Sequence, residues 1–290
     1  MRRNWDLQHV QVQTINWCNR SCEFCPSQKF HRRPSLMPLD TYRRILDELA
    51  AVNFTGRFSP FLQCEPLLDK RLPDLVSLAR QYLPSSKLLL QTNGDMLTAE
   101  KGSALFEAGL HKLVINCYDD KHDRLKNLNS IATEISERRP GVKHVTGNFF
   151  HMIRPEPLNS IKQEIIIENK THWTKDGQEN WAGNVPGIHL QQKSLKAWCF
   201  RPFNQLYIHQ NGNVVLCCCD WKGDVIFGNI LEKSLVQILD GPLATMYRKN
   251  LNEKNRRMKL CEVCDFPGKP PVVARISHAL TKLANRLRGI

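Results

Sequence analysis

The sequence predicts an α/β fold: a partial (β/α)6 barrel followed by a small C-terminal domain made of a β-hairpin and short helices. Two observations support this prediction. Up to about residue 170, short apolar segments alternate with segments of helical periodicity, which is typical of right-handed βαβ units around a parallel sheet. Beyond it, the polar stretch 170–186 precedes a hairpin pattern. About five or six βα units fit before this change, too few for a closed eight-stranded barrel, so we expect an open one.

The elements of the core follow from apolar spacing along the chain. Residues 9–15 alternate apolar and polar side chains and predict the first strand, which runs directly into a cysteine-rich loop. The further predicted strands are residues 57–63, 87–91, 111–116 and 143–152, and the predicted helices are residues 39–52, 72–82, 99–108 and 121–138. The chemical motifs of this half all follow strands. Because parallel strands carry their sites at their carboxyl ends, we expect these motifs to converge.

The C-terminal part has a different pattern. Residues 203–209 and 213–217 predict a hairpin closed by an Asn-Gly turn, and residues 231–240 and 242–249 predict short helices. We therefore divide the chain into three predicted parts: a core (1–190), an auxiliary domain (191–270) and a tail (271–290). Apolar residues at helical spacing with flanking Lys and Arg predict that the tail is a basic amphipathic helix. Such a helix would lie on a membrane, on nucleic acid or back on the core.

The composition narrows the class of protein and its compartment. The chain has 290 residues, a formal net charge of +13 and 11 cysteines. No apolar run approaches the roughly 18 residues of a membrane-spanning helix, and no secretion signal is visible, so we expect a cytoplasmic location. In that reducing compartment, an odd number of clustered cysteines favours metal binding over disulfides. The positive charge suits an anionic partner, although a solvated basic face explains it as well.

The first cysteine cluster has the spacing C-x3-C-x2-C. It consists of Cys18, Cys22 and Cys25, in the loop after the first predicted strand. Three thiolates can bind three irons of a [4Fe–4S] cluster and leave the fourth iron open to another ligand. A zinc ion held by these thiols and a further ligand such as His31 is the alternative.

The second cysteine set combines a hairpin with a downstream pair. Cys199, Gly212 and Cys217 have the spacing C-x12-G-x4-C, and Cys261 and Cys264 form a C-x2-C pair. Four thiolates can close a second [4Fe–4S] cluster completely. A zinc ribbon uses similar hairpin-borne pairs, so the spacing alone leaves both sites open.

The segment CNRSCEFC after the first strand resembles the motif of the radical S-adenosylmethionine (SAM) superfamily, C-x3-C-x-aromatic-C. The resemblance places Phe24 against the adenine of SAM and implies that the open iron binds SAM. The superfamily's Gly-Gly-Glu-Pro segment corresponds here to Gln63-Cys64-Glu65-Pro66, so Glu65 is expected to accept the SAM ammonium while two glycines are replaced. Asn93 and Asn116 are expected near the SAM ribose or carboxylate. This resemblance covers about residues 8 to 170.

The second cysteine set resembles the SPASM/twitch extension of many radical SAM enzymes. The full SPASM form holds two auxiliary clusters on seven cysteines, and this chain has too few downstream cysteines for it. The shorter twitch form, with one auxiliary [4Fe–4S] cluster, fits better. The spacing is similar to that of an aminocyclitol-oxidising member of the group. Gly228-Asn229-Ile230 also matches the group's pattern.

The resemblance implies reductive cleavage of SAM to a 5′-deoxyadenosyl radical, which abstracts hydrogen from a substrate carbon. Oxidation and epimerisation are both open, with an amino sugar or aminocyclitol as the favoured substrate. For epimerisation, Cys64 or Cys117 at the strand ends would return the hydrogen atom. Arg154 is a candidate for a two-pronged bond to the SAM carboxylate.

Other substrates and partners are also considered. A ribosomal peptide and a nucleotide or nucleic acid are the alternative substrates, nucleic acid being possible but not favoured. Each radical version needs an external one-electron donor such as flavodoxin or ferredoxin. A zinc-ribbon protein that binds nucleic acid is the alternative of a different class.

Overall fold

The computed structural model describes residues 4–30, 33–119, 122–147, 162–170, 179–185, 187–188 and 193–268. The strands in this part of the chain are β1 His9–Val12, β2 Arg57–Ser59, β3 Lys87–Thr92, β4 Lys112–Cys117, β5 Lys143–Gly147, β6 Glu164–Asn169, β7 Gln205–Ile208, β8 Asn213–Val215 and β9 Ile226–Asn229. The α-helices are α1 Leu39–Ala51, α2 Leu72–Tyr82, α3 Ala99–Glu107, α4 His122–Arg138, α5 Arg201–Asn204, α6 Leu235–Leu239 and α7 Pro242–Asn252.

All described strands belong to one sheet in the order β5-β6-β4-β3-β2-β1-β7-β8-β9. Strands β1 to β6 are parallel and form the predicted open α/β core. The C-terminal domain joins this sheet because β7 pairs in parallel with β1, and β7, β8 and β9 then run antiparallel. The two cysteine sets therefore lie on one continuous scaffold.

The last two core strands exchange places relative to their chain order. Strand β6 lies between β4 and β5, and the prediction did not include β6. Its central residues are buried, whereas β5 is partly exposed along its whole length. Since interior strands of a parallel sheet are covered on both faces, the more apolar strand occupies the interior position.

The core helices pack through one apolar face, as their periodicity predicted. In α1, for example, Tyr42, Ile45, Leu46 and Leu49 are buried and repeat at helical spacing. These side chains join the apolar residues of β1 to β4 in one continuous core. The helices thereby fix the positions of the strand ends, and so also the positions of the loops that follow the strands.

The predicted hairpin is confirmed, with shorter strands than expected. Gly212 in its turn has a φ of +84°, and a Cβ there would lie 2.9 Å from Asn229 Oδ1, so the turn requires glycine. The strand predicted at residues 143–152 extends past β5 into residues outside the described part of the chain. Arg154 and the tail 271–290 also lie outside the described residues. No helix of the described residues has the length and apolarity to span a bilayer.

Candidate active site

The three cysteines of the first motif share one half-buried loop after β1. Burial raises the pKa of Cys18 to about 11, with further contributions from Glu65 and from the thiols of Cys25 and Cys22. Burial and the Cys25 thiol likewise raise the pKa of Cys22. The three thiols thus lie within electrostatic range of one another, and a cationic partner would favour their thiolate forms.

A network of charged side chains ties this loop to the ends of β3 and β4. Its hub is Asp95, which accepts hydrogen bonds from Arg20 Nε at 2.6 Å, Arg20 Nη2 at 2.5 Å, Arg124 Nη2 at 2.8 Å and Asn19 Nδ2 at 2.9 Å. Arg20 also contacts Asp119 at 2.9 Å. Burial opposes ionisation of Asp95, but the Arg20 hydrogen bond and guanidinium charges hold its pKa below the usual value. We call these five residues the Asp95 network, and it fixes the backbone between the first two cysteines.

Glu65 is a buried carboxylate directly behind the cysteine loop, with 2% of its surface exposed. Its Oε1 accepts from Thr92 Oγ1 at 2.6 Å and from the Leu67 N–H at 3.0 Å, and its Oε2 accepts from the Asn93 N–H at 2.8 Å. Burial raises the pKa of Glu65, and these hydrogen bonds oppose the rise. Its own N–H donates to the Trp17 carbonyl at 3.0 Å, which joins it to the loop.

Gln63 occupies a position where the superfamily motif has glycine, and the structure explains why glycine is common there. Its φ is +53°, in the left-handed region that glycine adopts without strain. Its Nε2 donates to the Cys218 carbonyl at 2.7 Å, across to the C-terminal domain. Gln63, which replaces the motif's glycine, therefore links the two domains beside the cysteine loop.

The two candidate asparagines differ in their contacts. Asn93 Nδ2 donates to Asn19 Oδ1 at 2.9 Å and lies 4.0 Å from Cys18 Sγ, while its Oδ1 accepts from the Asp95 N–H. Asn116 Oδ1 is buried and has no hydrogen-bond partner among the described residues. A buried acceptor of this kind is usually satisfied by a ligand or water, so the end of β4 fits the polar part of a bound cofactor.

An aromatic pair completes this side of the site. Phe24 packs against Tyr118, with ring centroids 5.0 Å apart and planes tilted by 44°. Burial raises the pKa of Tyr118, and the thiols of Cys22, Cys25 and Cys18 add to the rise. Tyr118 is therefore within electrostatic range of all three thiols. No sequence motif singles out Tyr118, although its place directly after the polar end of β4 is a usable indication.

A cleft opens between the cysteine loop and the C-terminal domain. Phe30 and Trp221 stack across it, with centroids 6.0 Å apart. The residues lining the cleft are Gln13, Asn16, Trp17, Cys18, Arg20, Ser21, Ser27, Phe30, Gln63 and Trp221.

The two cysteines predicted as hydrogen donors are not among the residues that line this cleft. Cys64 packs against the main core, and burial raises its pKa. Cys117 is buried, and its Sγ donates to the Asp119 carbonyl at 3.5 Å. A catalytic role for either thiol stays a prediction.

The second cysteine set converges on one cavity. Cys199, Cys217, Cys261 and Cys264 all line it, together with Arg201 and Arg256. Burial raises the pKa of Cys199 to about 11. A [4Fe–4S] cluster takes one thiolate per iron, so its ligands surround a cavity rather than meet at one ion. Four thiols around one cavity fit a cluster.

Two protein-family models match this chain, one in the N-terminal part and one in the C-terminal part. The sequence model of the radical SAM superfamily matches residues 12–145, and that of the SPASM iron–sulfur cluster-binding domain matches residues 199–265.

Two curated relatives differ in coverage. The SAM-dependent 2-deoxy-scyllo-inosamine dehydrogenase of Niallia circulans is 25% identical over 258 residues, covering 88% of this chain and 92% of the relative. A GTP 3′,8-cyclase of Clostridium perfringens is 27% identical over 136 residues, which span 44% of this chain and only 40% of the cyclase.

Solved structures share the fold. BtrN in complex with AdoMet and 2-DOIA aligns with a TM-score of 0.70 and 24% identity, covering 90% of this chain and 93% of that one. The structure of anSMEcpe with bound AdoMet aligns with a TM-score of 0.54 and 12% identity, covering 97% of this chain and 99% of that one. Both likenesses concern the fold alone.

Proposed function

We propose that this chain, which belongs to the radical SAM superfamily and carries a C-terminal SPASM domain, oxidises a carbon–hydrogen bond of an aminocyclitol or amino sugar. The two domains imply a SAM-binding [4Fe–4S] cluster, SAM itself and an auxiliary cluster. The observation that carries the proposal is the convergence of four thiols on one cavity in the second domain. An oxidation needs an electron acceptor, and this cavity offers a place for one.

We assign the SAM-binding cluster to Cys18, Cys22 and Cys25. When bound to these residues, the cluster would supply the electron for reductive cleavage of SAM, and SAM would supply the group that abstracts a substrate hydrogen atom. The protein's part is to hold the three thiols at a fixed spacing. The Asp95 network serves this purpose, because it anchors the loop at Asn19 and Arg20.

Glu65 is the proposed partner of the SAM ammonium. An ionised carboxylate offers about four acceptor positions, and three donors already use three of those of Glu65. The remaining position suits one N–H of an ammonium, whose charge would favour the ionised carboxylate despite its burial. Phe24, Asn93 and Asn116 are the further proposed SAM contacts, and the unpartnered Asn116 Oδ1 supports the last. Arg154 keeps its proposed role on the sequence alone.

We assign the auxiliary cluster to Cys199, Cys217, Cys261 and Cys264. When bound there, the cluster would supply a one-electron acceptor for the oxidation of a substrate alcohol carbon to a carbonyl. Four protein thiolates leave no iron open to substrate. This arrangement favours electron acceptance and hence oxidation over epimerisation.

The substrate class rests on the relative and on the lining of the cleft. The Niallia circulans relative is named for 2-deoxy-scyllo-inosamine, and this chain aligns with 92% of it. Five of the residues that line the cleft carry amide or hydroxyl side chains, namely Gln13, Asn16, Gln63, Ser21 and Ser27. Such groups both donate and accept hydrogen bonds, as an amine-bearing ring with several hydroxyls requires.

An external one-electron donor is also proposed, because each SAM cleavage consumes an electron from outside the substrate. A small acidic carrier such as flavodoxin or ferredoxin suits the net charge of +13. The same need for reduced clusters supports a cytoplasmic location.

The test uses 2-deoxy-scyllo-inosamine deuterated at the carbon that bears the oxidised hydroxyl. Incubation with SAM and dithionite should give one ketone for each 5′-deoxyadenosine and should transfer deuterium to the latter. The Cys25→Ala variant should give neither product. An epimerase would instead incorporate solvent hydrogen without forming ketone. SAM cleavage without deuterium transfer from this substrate would refute the substrate class and leave the superfamily assignment intact.

A further inference from the structure

Two arginines line the cavity of the second cysteine set, Arg256, which is buried, and Arg201, whose side chain is 12% exposed. Arg201 begins α5, two residues after Cys199, and Arg256 lies between α7 and the Cys261–Cys264 pair. A charged side chain taken out of water is costly unless an opposite charge or a full set of hydrogen bonds compensates it. The contacts of each guanidinium therefore indicate what the cavity is built to hold.

Arg256 is compensated by neutral groups. It is 2% exposed, and its Nε, Nη1 and Nη2 donate to the carbonyls of Ala197, Phe266 and Trp198 at 2.9, 2.6 and 3.1 Å. These three acceptors orient the guanidinium and carry no charge. Its positive charge thus remains directed at the cavity that it lines.

Arg201 is held by three different contacts. Its Nη1 donates to Cys219 Sγ at 3.1 Å, its Nη2 lies 3.3 Å from Glu179 Oε2, and its guanidinium carbon lies 3.6 Å from the centre of the Phe266 ring. The Glu179 side chain is 37% exposed, so solvent screens part of its charge. The charge of Arg201 is therefore partly neutralised, whereas the charge of Arg256 is not, because its acceptors are uncharged carbonyls.

We propose that Arg256 and Arg201 are the counter-charges of the auxiliary cluster and set its reduction potential. The inference rests on the proposed function in one respect, that a cluster occupies this cavity. A cluster on four thiolates is an anion, and reduction adds a further negative charge. Buried cations stabilise the reduced form more than the oxidised form, because Coulomb energies are large where the dielectric constant is low. Both arginines act as positioning residues through charge, and neither needs to touch substrate.

The contacts of the two arginines predict the order and the sign of the changes in the cluster's reduction potential. Removing the Arg256 charge should lower the potential most, since none of its hydrogen-bond acceptors is charged. Removing the Arg201 charge should lower the potential less, because Glu179 already offsets part of it. Removing the Glu179 charge should raise the potential. A residue needed only for packing has no reason to produce effects of opposite sign.

The experiment measures the auxiliary cluster alone in the full chain. The Cys18→Ala/Cys22→Ala/Cys25→Ala variant is loaded with iron and sulfide, and its midpoint potential is followed by electron paramagnetic resonance during redox titration. Arg256→Gln, Arg201→Gln and Glu179→Gln are added singly. Arg256→Lys retains the charge, and Arg248→Gln is a control at another buried arginine, which donates to the Leu239 carbonyl and does not line the cavity.

For Arg256→Gln we expect at least a tenfold fall in the equilibrium constant of reduction, which for one electron is about 59 mV. Arg201→Gln should give a smaller fall, Glu179→Gln a rise, and the two controls less than about a threefold change. Equal potentials in loaded Arg256→Gln, Arg201→Gln and parent protein would overturn this proposal and leave the proposed function standing. Failure of the triple cysteine variant itself to bind about four irons would overturn both.

Discussion

Replacing Asp95 by alanine removes the acceptor that holds the cysteine loop against the ends of β3 and β4. Asp95 takes four hydrogen bonds from Arg20, Arg124 and Asn19, at 2.5 to 2.9 Å. Its side chain is 25% exposed, so solvent weakens these contacts below the strength of fully buried ones. In the variant, Arg20 also keeps its ion pair with Asp119. We estimate that the variant loses about 2 kcal/mol of stabilising free energy from these four hydrogen bonds. This value lies between the contribution of an exposed ion pair and that of a buried charged network.

This loss should appear mainly in the affinity for the first cluster. An unanchored loop has to be ordered when the cluster binds, and about 2 kcal/mol corresponds to a roughly 30-fold weaker equilibrium. The assay follows iron release to a chelator by absorbance, in the Cys199→Ala/Cys217→Ala background that removes the second site. The control is Asp40→Ala, which removes a 95% exposed carboxylate 3.6 Å from Arg43 and should leave iron release unchanged.

Equal iron release from Asp95→Ala and parent protein would refute the reasoning. It would mean that the loop keeps its conformation without the Asp95 network. A similar loss of iron from Asp40→Ala would also refute it, because the effect would then reflect net charge rather than anchoring.

Three further predictions follow from single contacts. Glu65→Gln should weaken equilibrium binding of SAM to the loaded protein at least about tenfold, because it removes the charge opposite the ammonium. Burial, with a smaller contribution from Arg57, lowers the pKa of His9 well below its usual value. The unfolded chain therefore binds more protons than the folded one below about pH 6.5, and stability should fall there by up to about 1.4 kcal/mol per pH unit. His9→Gln should flatten this slope in urea unfolding. Gly268→Ala should destabilise the C-terminal domain by more than about 3 kcal/mol, since its Cβ would lie 1.8 Å from a backbone carbonyl oxygen.

Each of these has an outcome that contradicts it. Unchanged SAM binding in Glu65→Gln would remove the assigned ammonium contact. Identical pH slopes in parent and His9→Gln would show that other groups govern acid sensitivity. For Gly268→Ala the matched control is Gly141→Ala, which also has positive φ but has no atom within 4 Å of the added Cβ. Equal thermal unfolding shifts in both would mean that backbone conformation, and not crowding, sets the cost.

Much of the fold could be predicted because apolar periodicity is a local property. Residues 72–82 were predicted as a helix with the bounds that α2 has, and the Asn-Gly hairpin was predicted between β7 and β8. The position of β6 was not predictable in this way, since strand order depends on which strand gains more by burial on both faces. The spacing of the second cysteine set left a zinc ribbon open, and the match to an iron–sulfur domain decides against it.

The cysteine motifs could be recognised from the sequence, but the groups that hold them in place could not. Arg20 contacts Asp95 and Asp119 across 75 and 99 residues of chain. No local pattern pairs charges from separate loops. Gln63 shows the same limit, because its left-handed φ and its bond to the Cys218 carbonyl depend on the packing of two domains.

The most direct test of the central claim is iron per chain after anaerobic reconstitution. We predict about eight irons in the parent protein. About four should remain in the Cys18→Ala/Cys22→Ala/Cys25→Ala variant and about four in the Cys199→Ala/Cys217→Ala variant. About four irons in the parent protein and in the Cys199→Ala/Cys217→Ala variant alike would contradict the account, because the cavity of the second domain would then hold no cluster and the oxidation would lack its electron acceptor.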